Sequence, residues 1–137
     1  MVRRLVVVMY AGTVATVFGL SMYHAAAHDY SYTGSSRFAW TIAYLALLIL
    51  ASYSAGLPDV RAGRSRFATA AIAAGAAAIP ISAIQLALGS AILPRFVVFG
   101  SAVALTVWWW LIARWSSRVA TAAGESDLVV FVGGDSA

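Results

Sequence analysis

Apolar residues run through this chain in four long blocks, and polar residues collect between them. Leu5 to Ala27 carries no Arg, Asp or Glu. Phe38 to Leu57, Phe67 to Leu88 and Phe96 to Trp115 repeat the pattern, with Arg at or beside each start and Arg114 in the last turn of the fourth block. A helix needs about 20 apolar residues to cross the hydrocarbon core of a bilayer. The pattern therefore predicts four membrane helices, at 5–27, 38–57, 67–88 and 96–115. The fold class expected is an all-α integral membrane protein, a four-transmembrane-helix bundle. A signal peptide is the rival reading of the first block, with Ala25-Ala26-Ala27 as its cleavage site. Signal-peptide cores run about 7–15 residues, and the stretch from Leu5 to Tyr23 is longer, which favours an uncleaved helix.

Composition agrees with that class. The chain has 137 residues, 62% hydrophobic and only 10% charged, whereas a soluble domain is about 25% charged. The net charge of +4 comes from nine Arg set against five acidic residues. These arginines sit at the edges of apolar blocks, as membrane topology requires, so no nucleic-acid partner is implied. Without Cys, disulfides and thiolate metal sites are excluded.

The densest charge lies in Asp59-Val60-Arg61-Ala62-Gly63-Arg64-Ser65-Arg66. A loop holding Arg61, Arg64 and Arg66 is hard to translocate and is expected in the cytoplasm. Both termini then follow it. Arg3, Arg4, Arg114 and Arg118 join the same side, and Arg37 and Arg95 lie opposite, a split of seven to two.

Within the blocks, a few residues invite a chemical reading. Ala71 and Gly75 form a small-x-x-x-small pair inside an alanine-rich run, the spacing that lets helix backbones approach. Pro80 should kink its helix. Gln85 is a strong polar group at depth, read as an interhelical hydrogen bond. Trp108, Trp109, Trp110 and Trp115 beside Arg114 and Arg118 read as an interfacial anchor; a Trp box for a sugar or cofactor is the sharper alternative. Successive helical residues are about 100° apart, so three consecutive Trp cannot share a face, and at least one should meet lipid. His24, His28 and Asp29 mimic a metal-ligand spacing, but a frayed helix end at the membrane surface accounts for them. No catalytic, cofactor-binding or metal-binding residue is assigned, and no cofactor is expected in this chain.

The remaining residues, 119–137, are expected to form a linker and then a buried strand, Leu128 to Val132, followed by Gly133-Gly134. A strand and a glycine turn open many nucleotide-binding α/β domains. The segment is expected to be a stub of a domain whose remainder lies downstream.

Four membrane segments, the entry Leu93-Pro94-Arg95-Phe96-Val97-Val98-Phe99-Gly100, the stretch Ala55-Gly56-Leu57-Pro58-Asp59, a basic exit and a strand-glycine start resemble one bacterial family. This is the N-terminal membrane domain, residues 1–118 here, of large polyprenyl-phosphate sugar-1-phosphate transferases of exopolysaccharide and O-antigen synthesis, in their actinobacterial form. Membrane-bound nucleotide-sugar dehydratases share a similar front end. The resemblance implies a multi-pass protein of the bacterial inner membrane that anchors and oligomerises a transferase through its helices. Its implied partners are the lipid bilayer, a second copy and, in the parent protein, polyprenyl phosphate. The family's catalytic residues lie downstream of anything matched here. A self-contained small membrane protein that binds or transports a lipid or solute is the reading from another class.

Overall fold

The computed structural model describes residues 2–61, 63–89 and 92–128. Four helices follow one another: α1 (Val2–Ala27), α2 (Ser36–Ser54), α3 (Arg66–Leu88) and α4 (Arg95–Leu128). All four are long and apolar enough to cross a membrane. They form a ring in which α1 packs on α2 and α4, and α3 packs on α2 and α4. The start of α1, the α2–α3 connection and the C-terminal half of α4 share one end, called here the basic end.

The surface is inverted relative to a water-soluble bundle. Val7, Met22, Leu50, Ile72, Ile79, Leu86, Phe99 and Val103 point outward, while Thr13, Ser21, Thr41, Ser52 and Ser101 are buried. Hydroxyls are tolerated inside because most bond to the preceding turn, as Thr13 does to the Met9 carbonyl at 2.9 Å and Thr41 to that of Arg37 at 2.8 Å.

Helix ends depart from the expected bounds for local reasons. α2 stops at Ser54 rather than Leu57. Gly56, at φ 78°, donates its N–H to the Tyr53 carbonyl, and Leu57 donates to that of Ser52. That is the Schellman arrangement, which uses a left-handed glycine to satisfy the last carbonyls of a helix. Gly89, at φ 62°, ends α3. Pro80 lies on the exposed side of α3, which runs through it as one helix.

The largest correction is at the C-terminal end. Residues 119–128, expected as a linker, continue α4, and Leu128 is its last residue instead of the first of a strand. Ala-rich sequence around Thr121 favours helix, and the Thr121 hydroxyl bonds back to the Ser117 carbonyl at 3.0 Å. The rest of the expected strand and glycine turn, residues 129–137, lies outside the described residues.

Candidate functional site

At the basic end the chain builds a cleft against α4. The Schellman turn delivers Pro58 and Asp59 to α4, where the Asp59 carboxylate accepts a hydrogen bond from the Ser116 hydroxyl at 2.5 Å. The loop then tightens, with the Val60 amide donating to the Pro58 carbonyl and Arg64 to that of Arg61. Ser65 caps α3, its hydroxyl accepting from the Ala68 amide at 3.3 Å. Between the loop, the start of α3 and α4 lies a hollow of about 410 Å³ whose walls include Asp59, Arg66, Ser116 and Ser117. A second hollow of about 460 Å³, with Arg64 and Ser65 in its wall, opens on the other side of the α3 N-terminus.

Arg66 is in the wall of the first hollow and Arg64 in that of the second, while Arg61 lies on the same loop and Arg114 and Arg118 on α4; all five are exposed. Among the described residues no carboxylate pairs with any of them, and the Asp59 carboxylate is bonded to Ser116. Only Arg114 has a partner of another kind, its guanidinium standing 5.8 Å from the centre of the Trp110 ring. Trp110 in turn meets Phe67 of α3 edge to face at 6.3 Å.

The tryptophans thus divide their roles. Trp109 is fully buried and donates its indole N–H to the Thr13 hydroxyl at 2.9 Å. Trp108 donates to the Met9 carbonyl at 3.1 Å and lies across Gly12, where an added Cβ would overlap three atoms of its indole. These two indoles lock α4 to α1. Trp109 is therefore a core residue and not an interfacial anchor, and Trp108 is half-buried with it. Trp115, 59% exposed, is the one that faces mostly outward.

The small-residue pair is displaced as well. The close-packed face of α3 carries Ala70, Ala73, Ala74, Ala77, Ala78 and Ile81. Ala71 and Gly75 lie beside that face, only partly buried, and a Cβ at Gly75 would meet nothing within 4 Å. The glycine that permits close approach is Gly12 in α1. Its signal was present in the sequence as the spacing of Gly12 and Thr16, another pair of small residues four apart.

Two further polar groups bind the bundle across its middle and at its opposite end. Tyr44 of α2 reaches the diagonal helix α4, with its hydroxyl 3.2 Å from the Val98 carbonyl and 3.0 Å from the Ser101 hydroxyl. The Gln85 amide donates to the Leu93 carbonyl at 2.9 Å, fastening the turn before α4. At the end away from the arginine loop, His24 meets Tyr30 at 3.1 Å and His28 edge to face at 4.2 Å, while Arg37 lies 4.4 Å over the Tyr30 ring. Among the described residues no group of three or more His, Cys, Asp or Glu is placed to hold a metal. These contacts make a polar, aromatic helix end. No family model, curated protein or solved structure matches the chain.

Proposed function

We propose that this chain is the membrane module of a polyprenyl-phosphate sugar-1-phosphate transferase of bacterial polysaccharide synthesis. It anchors a cytoplasmic catalytic domain at the inner leaflet and takes no chemical part itself. The parent reaction moves a sugar phosphate from a nucleotide sugar to polyprenyl phosphate and releases the nucleoside monophosphate. The observation that supports an anchoring role is the length of α4, 34 residues. At 1.5 Å per residue it spans about 51 Å, against a hydrocarbon core of about 30 Å. The excess of about 20 Å leaves the bundle at the basic end as an unbroken helix. A continuous helix transmits position where a flexible linker would not. Asp59 and Ser116 brace the base of this stalk against the α2–α3 loop.

The test uses the complete natural reading frame. Membranes from cells expressing it should transfer radiolabelled sugar phosphate from a nucleotide sugar into organic-soluble lipid. Label that stays aqueous as a dehydrated sugar nucleotide assigns the module to a dehydratase instead. A frame that closes directly after Ala137, with no α/β partner encoded beside it, overturns the anchoring role.

A further inference from the structure

We propose that the cleft between the α2–α3 loop and α4 is a binding site for the phosphodiester headgroup of an anionic bilayer phospholipid. This does not rest on the transferase reading, because it concerns only the walls of the cleft.

Charge comes first. Arg66 shares the wall of the cleft with Asp59, whose carboxylate accepts from Ser116; Arg64 lines the adjacent hollow, Arg61 lies on the same loop, and Arg114 and Arg118 are exposed on α4. Among the described residues none of these arginines pairs with a carboxylate. Arginine presents a planar fork of donors that matches phosphate oxygens. Arg66 is in the wall of the hollow and is also the first residue of α3, so the positive end of that helix dipole lies beside it. Basic pockets between membrane helices are suited to lipid phosphate.

The apolar half of the site separates a lipid from a soluble phosphate. Phe67 follows Arg66 and is 53% exposed, with its ring against Trp110. Val103, Trp110, Ala113 and Ser117 come at three- to seven-residue spacings that keep them on one stripe of α4. That stripe runs from the cleft toward the middle of the bundle, and Val103 in it is 69% exposed. A headgroup held at Arg66 and Arg114 would therefore lay its acyl chain over Phe67, Trp110 and Val103. A free phosphate has no use for that surface.

The experiment is native mass spectrometry of the purified chain in detergent, titrated with phosphatidylglycerol or phosphatidylcholine. Phosphatidylglycerol should be retained preferentially. Arg66→Gln should weaken its retention about fivefold, as loss of one arginine near a charged lipid surface implies. Arg66→Lys should recover part of the loss. Arg37→Gln and Arg95→Gln, at the opposite end, should leave retention unchanged, and melting curves report whether each variant is folded. Equal retention of the two lipids overturns the proposal, as does an equal effect of Arg66→Gln and Arg37→Gln. Displacement by millimolar inorganic phosphate would make the site one for soluble phosphate. Displacement by equimolar polyprenyl monophosphate would make it a substrate site, and either result refutes the phospholipid assignment.

Discussion

Gly12 and Gly75 are both half-buried glycines inside helices apolar and long enough to cross a membrane, yet the same methyl group should act oppositely at the two positions. At Gly12 an added Cβ overlaps the Trp108 indole, which is held in place by its bond to the Met9 carbonyl. Overpacking a fitted contact costs about 1–3 kcal/mol. Displacing the indole also breaks that hydrogen bond, worth about 0.6 kcal/mol on average in membranes. Replacing glycine by alanine inside a helix returns about 1 kcal/mol. Gly12→Ala should therefore destabilise the bundle by about 0.6–2.6 kcal/mol on those terms. At Gly75 nothing lies within 4 Å of the new methyl, so only the propensity term remains. Gly75→Ala should be neutral or stabilising by up to about 1 kcal/mol. Equilibrium unfolding by titration with sodium dodecyl sulfate, followed by far-UV circular dichroism, measures both. Removing the clash partner with Trp108→Ala should abolish most of the cost of Gly12→Ala, a coupling that a double-mutant cycle isolates. If Gly12→Ala is no less stable than Gly75→Ala, α1 and α4 do not meet as described.

Three other outcomes follow from the polar contacts and the charge distribution. Thr13→Val removes the acceptor of the buried Trp109 N–H and should cost about 1–3 kcal/mol, the penalty of a buried donor left unpaired, whereas Thr13→Ser should retain most stability in the same titration. Tyr44→Phe deletes the hydroxyl that joins α2 to Val98 and Ser101 across the bundle; a loss of about 0.6–1.7 kcal/mol is expected, and no loss would show that apolar packing alone fixes this diagonal. Because the chain has no cysteine, single cysteines at Gly34 and Gly63 can be probed with a membrane-impermeant thiol reagent on intact cells. Gly34→Cys should label from outside and Gly63→Cys only after lysis, and the reverse pattern would invert the arginine-based topology.

Four helices were legible because each apolar block is long enough to be one, and a helix satisfies its backbone within its own segment, whereas the other spanning structure, a closed barrel, needs strands of only about 9–11 residues. Their ends were less so. The stop of α2 depends on a left-handed Gly56 and the carbonyls it caps, which Gly56-Leu57-Pro58 hints at without fixing the residue. The extension of α4 was hidden because Ser116, Ser117, Thr121 and Gly124 have the composition of a linker. Hydroxyls that bond to their own helix remove that objection, as Ser117 does to the Arg114 carbonyl and Thr121 to that of Ser117. Within α3, alanines occupy nearly every face, so sequence spacing offers several equivalent small pairs and cannot rank Ala71 and Gly75 below Ala70, Ala74 and Ala77. The tryptophans misled for a related reason. An aromatic run near a helix end fits an interfacial belt, and only the facing Gly12 and Thr13 reveal that two of the indoles turn inward.

That error points to what specifies this bundle. In water an apolar stripe decides which face of a helix is buried. In lipid the surroundings are as apolar as the core, so leucine and valine carry little information about orientation. Here both kinds of face are apolar: Leu48 and Leu105 are buried, while Leu50 and Val103 point out. The discriminating residues are those with something to lose by facing lipid. Thr13, Tyr44 and Ser101 bury hydroxyls, Trp108 and Trp109 bury donors, and Gln85 fastens a turn. The two indoles at residues 108 and 109 find acceptors four residues apart on α1, at Met9 and Thr13, so two adjacent residues of α4 are matched to one turn of α1. Sliding α4 along α1 by a single residue would break both bonds and carry Trp108 off Gly12 onto a residue with a side chain. The pairing therefore fixes the register of α4. Because α4 continues as one helix past Ser116, it also fixes how far the stalk projects from the basic end.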